Sequence, residues 1–160
     1  MVEIMILSIL TSFHVLLVLL ATVSSVVVLK GLLTRDLIEA SAVRFFKYSL
    51  VASVTGLLFP FHHLTETQEA SMLSVYASGA AILAWRRFQL AGVWSSVFAV
   101  CTDIVIYLNV FFAIVQSFKL IPQLKMLAPT LTESPFLVTT FATMLFFVMH
   151  GFIAVKRFHN

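Results

Sequence analysis

Apolar residues run along this chain in long, nearly unbroken blocks separated by short polar connections. The block lengths match the ~20 residues that a helix rising 1.5 Å per residue needs to cross the hydrocarbon core of a bilayer. The blocks lie at about 4–29, 40–61, 70–85, 93–118 and 135–155, and each is expected to be a helix. The first is closed by Lys30 and lacks the basic start and short core of a cleaved signal peptide, so it reads as a retained span. Asp36 and Glu39 have capping-box spacing ahead of the second block, and Pro60 sits near its far end, where a missing backbone donor does least harm. Thr65 and Gln68 repeat that spacing before the third block, which is short enough to describe a buried core helix as well as a span. Pro122 and Pro129 punctuate a connection over 119–134 that is expected to lie along the membrane interface. Ser134 and Pro135 read as the cap and first residue of the last helix.

Composition strengthens this picture. Hydrophobic residues make up 61% of the chain and charged ones 11%, against about 25% charged in ordinary soluble domains, so no water-facing surface of normal polarity can be built from it. The fold class expected is all-α: one polytopic membrane helical bundle over 1–160 with five transmembrane helices. Charge then gives the orientation. Of the ten lysines and arginines, all but Lys119 and Lys125 fall in the first loop, the third loop and the C-terminal tail. The positive-inside rule therefore puts those segments and the C-terminus in the cytoplasm and the N-terminus outside. This reading suits a bacterial inner membrane. The net charge of +3 does not indicate nucleic acid, because the basic residues end apolar blocks. The runs Ala42-Val43-Arg44-Phe45, Ala84-Trp85-Arg86-Arg87-Phe88 and Ala154-Val155-Lys156-Arg157-Phe158 are read as interfacial anchors, with cations snorkelling to headgroups and rings at their level.

Small residues recur every four positions in the second and third blocks: Ser49 with Ser53, Ala52 with Gly56, and Ala70 with Ser74 and Ser78. Rows of this kind let helix backbones approach closely in lipid, and they predict a tight hairpin of these two helices. A homodimer seam is the alternative use of the same rows.

The chemistry-bearing residues are few. Asp103 lies within the central block, and an ionisable group there marks a functional candidate. Tyr107, four residues on, shares its helix face and is expected either to donate to the carboxylate or to line a polar path with it. A structural carboxyl bonded to another helix explains Asp103 equally well. Bis-histidine ligation of haem b needs two imidazoles at similar depth on facing helices, which His14 with His62 or His63 alone offers. His150 falls toward the cytoplasmic end of the last block, too far away to join them. The single cysteine, Cys101, permits neither an intrachain disulfide nor a cysteine metal cluster, and His-Glu-x-x-His, phosphate-loop and nucleophile-elbow patterns are missing.

The expectation is a non-enzymatic integral membrane component that binds lipid, a small apolar ligand or partner membrane helices, with Asp103 and Tyr107 as the polar spot. As partner it takes the bilayer itself, together with further copies or the other subunits of a larger complex. Two alternatives stay open: a haem- or quinone-linked redox subunit using His14 with His62 or His63, and a proton-coupled small carrier centred on Asp103.

Overall fold

The computed structural model describes residues 2–34, 36, 39–58 and 66–159. Their secondary structure is helical throughout: α1 (Val2–Thr34), α2 (Glu39–Leu57), α3 (Glu66–Arg86), α4 (Val93–Leu120), α5 (Pro122–Leu127) and α6 (Ser134–His159). Three of them, α1, α4 and α6, are long and apolar enough to cross a membrane. Helices α2 and α3 have 19 and 21 residues, a reach of about 30 Å, but polar side chains dilute their hydrophobicity. The small polar ones and Gln68 point inward, while Arg44, Lys47, Glu69 and Tyr76 stay exposed. Ser49, Ser53 and Thr55 of α2 and Gln68, Ser71, Ser74 and Ser78 of α3 are buried, whereas Val43, Val51, Val54, Met72, Leu73 and Leu83 face outward.

This inversion has a physical cause. Lipid tails are as apolar as leucine, so burying leucine between helices gains little, while small hydroxyl side chains allow close approach and bond across it. The hydroxyls of Ser53 and Ser74 lie 2.8 Å apart and join α2 to α3. Asn109 of α4 donates to Ser49 Oγ at 3.1 Å and to its own helix at Val105 O. Helix α4 is the hub, packed against α1, α3, α5 and α6 and tied to α2 through Asn109. The largest apolar cluster, which includes Val28, Leu32, Phe45, Phe98 and Ile106, fills the bundle toward the end that carries most of the basic residues.

Contacts at that end fix the relative directions of the helices. Arg157 donates to the Leu33 carbonyl at 3.0 Å, and Arg86 pairs with Glu39 at 2.9 Å. The C-terminal ends of α1, α3 and α6 therefore meet the N-terminal end of α2. Both Arg86 and Glu39 are exposed, so their pair adds at most about 1 kcal/mol. The α3–α4 connection is tight: Gln89 and Leu90 take left-handed φ values of 50° and 57°, and Phe88 stacks on Trp94 with centroids 3.8 Å apart. Gly92, with φ 54° and ψ −125°, occupies a region that side-chain-bearing residues enter only under strain.

After α5 the chain turns through a polar loop into α6. The helix starts at Ser134 and the Glu133 carbonyl accepts from the amides of Phe136 and Leu137. Ser134 is thus the first helical residue and not the cap expected from sequence, and Pro135 is the second. The Glu133 carboxylate gathers the amides of Thr130 and Thr132 and the Thr130 hydroxyl. Desolvation acts to raise its pKa, but these hydrogen bonds together outweigh it and hold the group below the ordinary carboxylate range. A depressed folded pKa means that the stabilisation is present above the unfolded value and is lost as pH falls through the folded one. Amide exchange at Thr130 and Thr132 should accelerate across that acidic window in the wild type. In Glu133→Gln it should show no step there.

Candidate functional site

Asp103 is expected from sequence to stand near mid-span with Tyr107 as its neighbour. The structure gives it a partner from another helix. Asp103 follows the start of α4 by about ten residues, and His150 precedes the end of α6 by about as many; both lie roughly 15 Å from the same end of two antiparallel helices. His150 Nδ1 meets Asp103 Oδ1 at 2.6 Å, and its Nε2 lies 3.2 Å from the Leu29 carbonyl of α1. Asp103 and His150 are only 6% and 4% exposed, so one polar contact links the three helices with the most apolar sequences.

The protons follow from the partners. A carbonyl only accepts, so Nε2 carries a hydrogen. Nδ1 then either donates as part of an imidazolium to the Asp103 carboxylate, or accepts from a protonated Asp103. Either way one proton occupies the Asp103–His150 bond and the pair as a whole is neutral, which is the arrangement a low-dielectric site tolerates. The remaining carboxyl oxygen, Oδ2, is an acceptor in both forms.

Between α4 and α6, beside this pair, runs a groove of about 490 Å³ whose lining includes Val100, Asp103, Tyr107, Phe147, Val148 and Gly151, a volume within the ~300–1,000 Å³ usual for small-molecule sites. Asp103 is the one charged type among the lining residues. Val100, Met144, Val148 and Phe152 line it and are also exposed on the outer surface, so the groove opens sideways, toward the side where lipid would lie. Tyr107 lines the same groove as its shared helix face requires, but it packs edge-on to Phe147, and the hydrogen-bond partner of Asp103 is His150. Gly151 permits the close fit: a Cβ there would stand 2.9 Å from Oδ2.

His14 belongs to a different part of the bundle. The Thr55 hydroxyl donates to Ala52 O at 2.8 Å and therefore accepts from His14 Nδ1 at 3.0 Å. The ring also meets Phe112 edge-on. The space beside it, lined by Ser53, Ser71, Ser74 and Asn109 among others, is about 10 Å³, room for about one water, so a haem at His14 requires the helices to part. Its expected co-ligands, His62 and His63, lie outside the described residues, as do Pro60 and the Thr65 cap. Among the described residues no group of three His, Cys, Asp or Glu side chains is placed to hold a metal ion.

Sequence reasoning set His150 too far from His14 to share a haem with it and did not pair it with Asp103. The signal that finds it is depth: in antiparallel neighbours, residues equally far from a shared end come level. Compared with known proteins, the chain matches no family, no curated protein and no solved structure.

Proposed function

We propose that the chain is an integral component of a bacterial inner membrane, crossing it five times with its N-terminus outside and its C-terminus in the cytoplasm. Its role is to bind a lipid or other small apolar molecule in the α4–α6 groove. The observation that carries this reading is the groove itself, an apolar trough open to the side with one neutralised carboxyl at its wall. Five crossings are supported by the outward apolar faces of α2 and α3 and by their buried serines. A water-covered α2–α3 hairpin would turn those faces the other way. Apart from Asp103 and Tyr107 the described lining of the groove is apolar, a surface suited to binding.

The proton shared by Asp103 and His150 favours a second reading, a proton-coupled small carrier, because a pair that holds a proton between two ionisable groups has the parts of a relay.

The binding reading is tested by native mass spectrometry of protein released from nanodiscs made with the native lipid extract. The wild type should retain an apolar molecule at one per chain, and Val148→Trp, which fills the groove from an exposed position, should release it. A wild-type chain that emerges bare, or a bound mass unchanged by Val148→Trp, would count against the groove.

A further inference from the structure

Asp103 presents two oxygens to different neighbours. Oδ1 is taken by His150. Oδ2 lies against the Cα of Gly151 at the groove wall, and among the described residues no donor is placed on it. Its side chain is more than nine-tenths buried, yet Oδ2 is not among the fully buried atoms left without a partner, so it keeps access to the groove that Asp103 lines. An acceptor facing an apolar trough without a donor costs free energy that an occupant with a donor recovers.

We infer that the occupant of the α4–α6 groove is an uncharged, elongated apolar molecule bearing a hydroxyl group, which donates its hydrogen to Asp103 Oδ2. The inference rests on the binding reading above and narrows it to one ligand chemistry. Charge excludes the neighbouring classes. The Asp103–His150 pair is neutral as a unit, so an ammonium head would bring an unpaired charge into lipid, and a carboxylate head would set like atoms face to face. An ether or plain alkyl end leaves Oδ2 without a donor. Because Oδ2 accepts in both protonation arrangements of the pair, selection for a hydroxyl does not depend on where the shared proton sits.

Gly151 is then the specificity-determining residue. It carries no side chain between Oδ2 and the groove, and an alanine Cβ at 2.9 Å from Oδ2 and 3.6 Å from Cγ would be too close to stand unchanged, so the carboxyl or the helix gives by a few tenths of an ångström and the acceptor is covered. Within a helix glycine is the weaker former, so Gly151→Ala favours the α6 conformation itself.

The test uses full-length protein in phosphatidylcholine nanodiscs and three photoreactive probes with the same diazirine-bearing chain: hexadecanol, its methyl ether and the corresponding carboxylate. Labelling of α4 and α6 groove peptides is read by mass spectrometry. The alcohol should label the wild-type groove about tenfold more than the ether or the carboxylate, the size expected for one hydrogen bond. In Gly151→Ala the alcohol-to-ether ratio should fall to near one, and the double variant Asp103→Leu/His150→Leu, which removes the acceptor, should give the same result. Equal wild-type labelling by alcohol and ether overturns the hydroxyl inference while the groove reading stands. If none of the probes labels the groove, both fall together.

Discussion

Replacing His150 with leucine is expected to destabilise the bundle by about 3 kcal/mol, because removing one member of a buried pair leaves the other without compensation. The Asp103 carboxyl would keep its place against Gly151, lose its hydrogen bond at Oδ1, and have no water to turn to. The link from His150 to the Leu29 carbonyl would go as well, loosening α6 from α1 where few other contacts join them. Asp103→Asn should behave differently. Its amide can donate to Nδ1 while Nε2 still donates to Leu29, so the network survives in a neutral form and the loss should stay within about 1 kcal/mol. The double variant Asp103→Leu/His150→Leu should lose less than the sum of its single changes, since neither partner is left stranded. Denaturant unfolding in detergent micelles, followed by the fluorescence of Trp85 and Trp94, measures these three variants and the single Asp103→Leu. Equal losses for His150→Leu and Asp103→Asn would show that the contact carries little.

The second large effect is expected at Gly56. An added Cβ there runs into Ser71 Oγ and comes to 3.3 Å from both Ser71 Cβ and His14 Cε1, so three helices converge on this one hydrogen. Gly56→Leu forces α2 away from α1 and α3 and breaks the neighbouring His14–Thr55 and Ser53–Ser74 hydrogen bonds. Overpacking of this kind costs about 3 kcal/mol. Gly79 on α3 is the matched control: a Cβ at that position meets nothing within 4 Å, and Gly79→Leu should leave stability unchanged or slightly raised. Thermal unfolding of the two variants in the same detergent separates a packing effect from a general intolerance of leucine. Similar midpoints for both would mean that the three helices do not close on Gly56.

The pattern of apolar blocks makes the helices legible from sequence, because a bilayer-length run has few other uses. The Ser49/Ser53 and Ser74/Ser78 rows likewise mark the α2–α3 contact in advance. Asp103 stands out in the chain because a lone carboxyl in an apolar block is costly. Its partner does not, since His150 is 47 residues away and comes level only once α4 and α6 are known to run antiparallel from a shared end. The pairing of Asp103 with Tyr107 follows from helix periodicity, a local rule, and the tertiary contact overrides it: the ring of Tyr107 turns to Phe147, while the carboxyl turns to the imidazole. The groove is illegible in sequence for the same reason, as its walls come from two helices separated by the loop and α5.

The claim on which the account rests is that α2 and α3 lie in the bilayer, so that the serine seam is internal to a membrane bundle and the Asp103–His150 pair sits at lipid depth. The most direct measurement is sided labelling with a membrane-impermeant maleimide, on Cys101→Ala protein carrying one new cysteine at exposed Glu69 or exposed Gln89. If five helices cross, Glu69→Cys labels from the outside of intact cells and Gln89→Cys only after the membrane is opened. If α2 and α3 do not cross, the two positions share one side, and identical labelling of both would contradict the account.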